Sequence, residues 1–159
     1  MTEFGFKLKE GLLTAVLVVF IAFLFIRSSG GTDKSLAEIA PPVLAELESA
    51  GLTEKTAIEA AKVFGYDRDK AVEAVYSANE SVMDVSEVLM IKLTDSADAP
   101  EIKAAIEKRV EEQKNLYKSY APQQYALLER CVIQVSGNTV FYCTAENADR
   151  AYDTFKNQL

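Results

Sequence analysis

The sequence predicts an α+β protein in two parts: an N-terminal transmembrane helix, then helices packed on a small, mainly antiparallel three-stranded sheet. Three observations predict it. Leu12 to Ile26 (LLTAVLVVFIAFLFI) runs for fifteen residues without a charge. Leu89, Ile91 and Leu93 alternate with Val88, Met90 and Lys92 at the period of a strand. Ser136-Gly137-Asn138-Thr139 sets turn residues between two runs rich in β-branched and aromatic side chains.

The apolar run comes first in the chain. As a helix it rises about 22 Å against about 30 Å of hydrocarbon. Lys7, Lys9 and Arg27 can snorkel toward headgroups, while Phe4, Phe6 and Leu8 extend the apolar material upstream. The run is apolar on every face, which suits lipid better than one side of a core. A cleavable secretory signal competes, since Ser28-Ser29-Gly30 offers small residues, but bulky Phe25, Ile26 and Arg27 directly before them weaken that site. The balance of positive charge favours a cytoplasmic amino terminus. No cysteine ends the run, so lipid attachment there is excluded. The expected organisation is a membrane anchor over residues 1–30 and a single extracytoplasmic α+β domain over 31–159, in a single-pass protein of the cell membrane.

Within that domain, residues 35–78 are expected to be helical. Ser35 with Glu38 has the spacing of a capping box, and Pro41-Pro42 breaks the first turn and restarts a helix over residues 42–49 that Gly51 closes. Thr53 is placed to cap a helix over 54–64 ended by Gly65, and Asp67 to cap another over 68–78. The first strand follows at 88–93. Asp98 and Glu101 then open a long helix with Ile102, Ile106, Val110, Leu116, Tyr117 and Tyr120 along one stripe. Pro122 begins a short helix to Glu129. Strands over 131–135 and 140–144 make a hairpin, because Gly and Asn in the centre suit a two-residue mirror-type turn. A last helix over 146–156 presents Ala148, Ala151, Tyr152 and Phe155 to a sheet covered on one face.

Composition removes several function classes. With 49% apolar and 26% charged residues the chain is that of a folded globular protein. Lys7, Lys9, Arg27, Glu3 and Glu10 lie in the first thirty residues, leaving 14 basic against 22 acidic, a net charge of −8 on the domain. That balance repels phosphate backbones, so no nucleic acid partner is expected. Histidine and tryptophan are absent. Serine–histidine and cysteine–histidine nucleophiles are thereby excluded, as are zinc sites built on imidazole.

Few residues carry candidate chemistry. If Ser136 pairs with Thr139, Val132 faces Cys143, and Cys131 and Cys143 point to opposite faces of the sheet, where they cannot bond; a three-residue loop would instead bring them to one face as diagonal neighbours, where a bridge can form. Asp95, Asp98 and Glu101 could clasp a hard cation, but helix capping accounts for two of them and the glycine-bearing spacing of a calcium loop is missing. No cofactor is expected. Tyr117, Tyr120 and Tyr125 gather around the bend at Pro122, where they either pack or form a stacking platform for a glycan or peptide.

From Tyr66 onward, SEVLMIKL (Ser86 to Leu93), EIKAAIEKRVEEQKNLYKSYAPQQYALLE from Glu101, the VSGNTVFYC hairpin and the Phe155-bearing last helix resemble a family of small membrane-anchored or lipoprotein domains of unknown function from Gram-positive bacteria. The spacing of Arg109, Gln113, Tyr120, Pro122 and Tyr125 is the specific part of that resemblance. Its members often carry a lipid-attachment cysteine, from which this chain departs, and it implies no reaction or ligand. GYDRDKAVEAVYSANESVMDVSEVL from Gly65 also resembles the helix-loop rhythm of ubiquitin-associated three-helix modules, which implies a helical adaptor. That likeness needs a helix over 82–90, against the alternation there. The expectation is a binding or structural module of the cell envelope, with an envelope protein, a peptide or a glycan as partner. A histidine-free hydrolase or transferase using carboxylates or a tyrosine is the alternative.

Overall fold

Ser35 stops the chain's extended entry by accepting a hydrogen bond from Ala37 N at 3.1 Å, and helix α1, Leu36–Glu46, starts there in the computed structural model, which describes residues 33–159. The elements that follow are β1 (Leu52–Lys55), α2 (Ala57–Phe64), β2 (Ala71–Asn79), β3 (Glu87–Leu93), α3 (Ala99–Tyr117), α4 (Pro122–Glu129), β4 (Val132–Ser136), β5 (Thr139–Thr144) and α5 (Ala148–Gln158). All strand pairs are antiparallel, in the order β1-β2-β3-β5-β4.

The sheet therefore has five strands among the described residues, where the sequence suggested three, and it is covered on both faces. Central β3 shows why. Val88 and Met90 pack with Leu36, Ile39 and Val43 of α1 and Phe155 of α5. Leu89 and Ile91 pack the other way, with Phe64 of α2, Ile102, Ile106 and Val110 of α3 and Leu128 of α4. A strand so placed needs apolar residues at both parities, which is how VLMI reads. The described residues fall in one compact unit.

The expected helical stretch over 35–78 is corrected most. Pro41 and Pro42 lie inside α1 without breaking it. Their missing N–H groups would have served the carbonyls of Ala37 and Glu38, two exposed residues where water can take the bond. Thr53 sits in edge strand β1, and Thr56 caps α2 in a full capping box with Glu59, its Oγ1 accepting from Glu59 N at 3.1 Å. Asp67 does cap, but only the single turn Arg68–Lys70, after which the chain turns extended into β2. With β2 and β3 as strands, the likeness to ubiquitin-associated modules is excluded.

The C-terminal half follows expectation closely, except that Leu116 and Tyr120, expected on the buried stripe of α3, are 60% and 52% exposed and Tyr120 lies past the helix end. Ser136 pairs with Thr139 and Val132 with Cys143. Gly137, at φ 57°, supplies the left-handed first position of the turn, and Asn138 keeps a negative φ, the pattern of a type II′ hairpin. Cys131 and Cys143 are free and belong to opposite faces. Among the described residues no helix is long and apolar enough to cross a membrane. The transmembrane helix expected over Leu12 to Ile26 lies outside them.

The sheet has two distinguishable ends. At one, Lys92 Nζ donates to Lys34 O at 3.0 Å, Lys34 Nζ to Gln158 O at 2.7 Å, and Leu93 N to Asn138 O at 2.7 Å. Both the entry of the chain into the domain and its carboxyl end are gathered there. At the other lie the β2–β3 connection, the turn before β1 and the turn after β5.

Candidate functional site

Two features stand out: a polar knot inside the sheet's α3-facing core, and a cleft at the end of the sheet remote from Lys34.

The knot centres on Glu87, the first residue of β3 and only 3% exposed. Period-two alternation places it on the same face as Leu89 and Ile91. Its carboxylate accepts from Tyr76 OH at 2.8 Å, Tyr142 OH at 3.0 Å and Arg109 Nη2 at 3.2 Å, and Thr144 Oγ1 donates to the Tyr142 oxygen at 2.7 Å. Three donors and a full counter-charge make burial of the carboxylate tolerable. Arg109 also sits 5.1 Å over the Phe64 ring, and Phe64 meets Tyr76 and Tyr142 edge-on at 5.4 and 5.5 Å. Burial first, and then the Glu87 charge, push both phenols well above their ordinary acidity range. They are held neutral, as donors. Buried and without a hydrogen-bond partner are Arg109 Nε and Gln113 Oε1, four residues apart on α3, together with Tyr66 OH and Asn138 Oδ1.

The cleft, about 680 Å³, lies between the turn after α1, the β2–β3 connection, α4 and the turn after β5. Leu47 and Leu127, with three alanines, supply its apolar lining; Asn79, Asp84, Ser86, Gln123, Arg130 and Asn147 supply most of its polar lining. Several of these are tied into the frame. Asn79 Nδ2 donates to Ala50 O at 3.0 Å and its Oδ1 accepts from Ser81 N at 2.9 Å. Asp84 Oδ1 accepts from Ser86 N at 2.8 Å, and Asn147 Nδ2 donates to Glu46 O at 3.3 Å. Gln124, also in the lining, accepts from Val85 N at 2.8 Å and fastens the β2–β3 connection to α4. Gln123 and Glu146 have no such bond among the described residues and are free to meet a ligand.

The tyrosines picked out by sequence are divided. Tyr117 is buried, its hydroxyl donating to Val82 O at 2.8 Å, and its ring centre is 5.4 Å from that of Tyr120. Tyr120 is 52% exposed. Tyr125 is half-buried on α4 against the α3-side core. None of the three lines the cleft. Asp98 and Glu101 grip Lys70, at 3.1 Å in the case of Asp98, while Asp95 caps the turn Ser96–Asp98. No group of residues able to hold a metal ion occurs among the described residues.

Sequence reasoning missed both features. For the knot a signal existed: extending the Leu89, Ile91, Leu93 alternation back one step puts Glu87 in the core, and Arg109 interrupts the stripe Ile102, Ile106, Val110. For the cleft none existed, because its walls come from three separate connections and one helix.

Fold and site define a class, a three-layer α+β domain with an open polar cleft at one end of an antiparallel sheet. The family profile of DUF4358, a domain of unknown function, matches residues 45–145, and the chain belongs to that family. The match takes in all five strands and the whole Glu87 knot. It agrees with the expectation of a domain of unknown function, reaches upstream of Tyr66 and ends before α5. No curated protein and no solved structure matches the chain.

Proposed function

We propose that the domain is a non-enzymatic binding module of the bacterial cell envelope, tethered to the membrane through residues 12–26, that takes an uncharged peptide or glycan segment in its cleft. The observation that carries this reading is a division of labour between the two features. The groups whose acidity is most displaced, Tyr76, Tyr142 and Cys143, are sealed in the two cores. Amides and hydroxyls dominate the polar lining of the cleft, Arg130 and Glu146 add one charge of each sign, and the Asp84 carboxylate is already occupied by Ser86 N and Asn79 Nδ2. Catalytic acids and bases need displaced acidity where substrate reaches them, whereas a recognition cleft needs fixed neutral donors and acceptors beside an apolar floor. Lys34 lies at the other end of the sheet from the cleft.

Full-length protein in detergent micelles, mixed with solubilised cell-wall fragments, provides the test. Retention of defined glycan or peptide fragments, weakened at least tenfold by Ala126→Trp, which fills the cleft, is the expected result. Equal retention by the variant would remove the cleft, and fragments chemically altered on incubation would reveal an enzyme. Protease added to intact cells should digest the domain; protection would reverse the topology.

A further inference from the structure

A second surface lies on the other side of the turn Glu48–Ala50. On the face opposite α3, α1 lies over β2 and β3, and α5 over β5 and β4. This leaves the β1 side of the face without a helix among the described residues. Two adjoining hollows of about 500 and 510 Å³ run there and share Pro41, Leu44 and Glu54. Their floor is apolar, with Ala40 of α1, Leu52 of β1 and Val75 of β2. A helix docked there would lie alongside α1 at the usual 8–10 Å between helix axes. From Ala37 to Glu48 it is about 16 Å long at 1.5 Å per residue, or three turns.

The charge on this trough names its occupant. Among the described residues its charged lining is Glu48, Glu54 and Glu73, with no lysine or arginine. Glu73 accepts from Ser35 Oγ and Leu36 N, both at 2.7 Å, and so caps α1. Glu48 and Glu54 are exposed and pair with no cation among the described residues. An apolar floor flanked by unopposed carboxylates attracts a helix with one apolar face and lysine or arginine along its edges. A second copy of this domain is a poor fit, since each carries −8. We propose that the trough beside α1 docks a cationic amphipathic helix of a partner protein. This is independent of the ligand assigned to the cleft.

A synthetic 14-residue amphipathic helix of leucine and lysine, labelled with fluorescein, is the probe. It is titrated against full-length protein in zwitterionic nanodiscs, with empty discs and a leucine–glutamate helix as controls. The expected result is saturable binding of the lysine helix above that to empty discs, weakened at least tenfold by Glu48→Lys with Glu54→Lys. Both positions are exposed, so folding should survive, and circular dichroism checks it. The same double variant should gain binding to the leucine–glutamate helix. No binding above empty discs overturns the proposal. So does equal binding by the double variant.

Discussion

At the scale of single residues, the Glu87 knot sets the strongest constraints. Removing Arg109 leaves a carboxylate that is 3% exposed without its cation, and breaking such a pair costs roughly 3–5 kcal/mol. The Arg109 side chain is 25% exposed, so water screens part of the pair and the lower end, about 3 kcal/mol, is expected for Arg109→Ala. Urea denaturation measures it; a loss under 1 kcal/mol would mean that the tyrosines alone hold Glu87. Titration gives a second prediction. Burial raises the Cys143 thiol from its ordinary 9.0 to about 12 and raises Cys131 as well, while Tyr76 and Tyr142 go above their ordinary 10.0. In each case the folded state keeps its proton longer than the unfolded one. The stabilisation is therefore complete below pH 9 and is lost as pH rises, at about 1.4 kcal/mol per pH unit for each such group. Urea midpoints measured from pH 7 to 11 should fall from pH 9 and more steeply past 10. Cys143→Ala should flatten the first part of that fall.

At the scale of elements, local signals were right about chemistry more often than about what the chemistry starts. Asp67 caps a turn, as its spacing promised, yet AVEAVYSAN after it reads as helix by its alanines and glutamate and as strand by alternation of Glu73, Val75 and Ser77 with Ala74, Tyr76 and Ala78. Pairing with β1 and β3 decides for strand, and that pairing is long-range and invisible in a local window. Where the signal is both local and geometrically demanding the reading held. The Gly137-Asn138 turn fixed the hairpin register, and that register separates the two thiols. The α2 start shows how small a displacement hides an element: moving the cap from Thr53 to Thr56 leaves room for β1. Since Thr56 and Glu59 satisfy each other's backbone donors, Thr56→Ala should cost about 1 kcal/mol of stability, read as a shift of the urea midpoint at constant slope. Thr53→Ala, on the exposed edge strand, should change it by less than about 0.5 kcal/mol. Equal effects at the two positions would contradict the cap.

For the whole molecule, the sheet is a partition with a separate core on each side, and β3 belongs to both. This was legible only as a run of four apolar residues, VLMI, which fits a fully buried strand as well as a half-buried one until the helices are known to divide between two faces. The cleft was not legible at all, because it exists only where turns distant in sequence converge. The partition makes a testable statement about cooperativity. Ile39 on α1 and Ile106 on α3 are both fully buried, one in each core, with the sheet between them. Ile39→Val and Ile106→Val should each cost about 1 kcal/mol, and with no shared partners the double variant should lose the sum to within about 0.5 kcal/mol. Unfolding should remain a single transition at the same denaturant slope, because β3 cannot leave one core without abandoning the other. If the double variant instead showed two transitions, seen at different denaturant concentrations by fluorescence and circular dichroism, the two faces would be independent folding units and the sheet would not bind them into one.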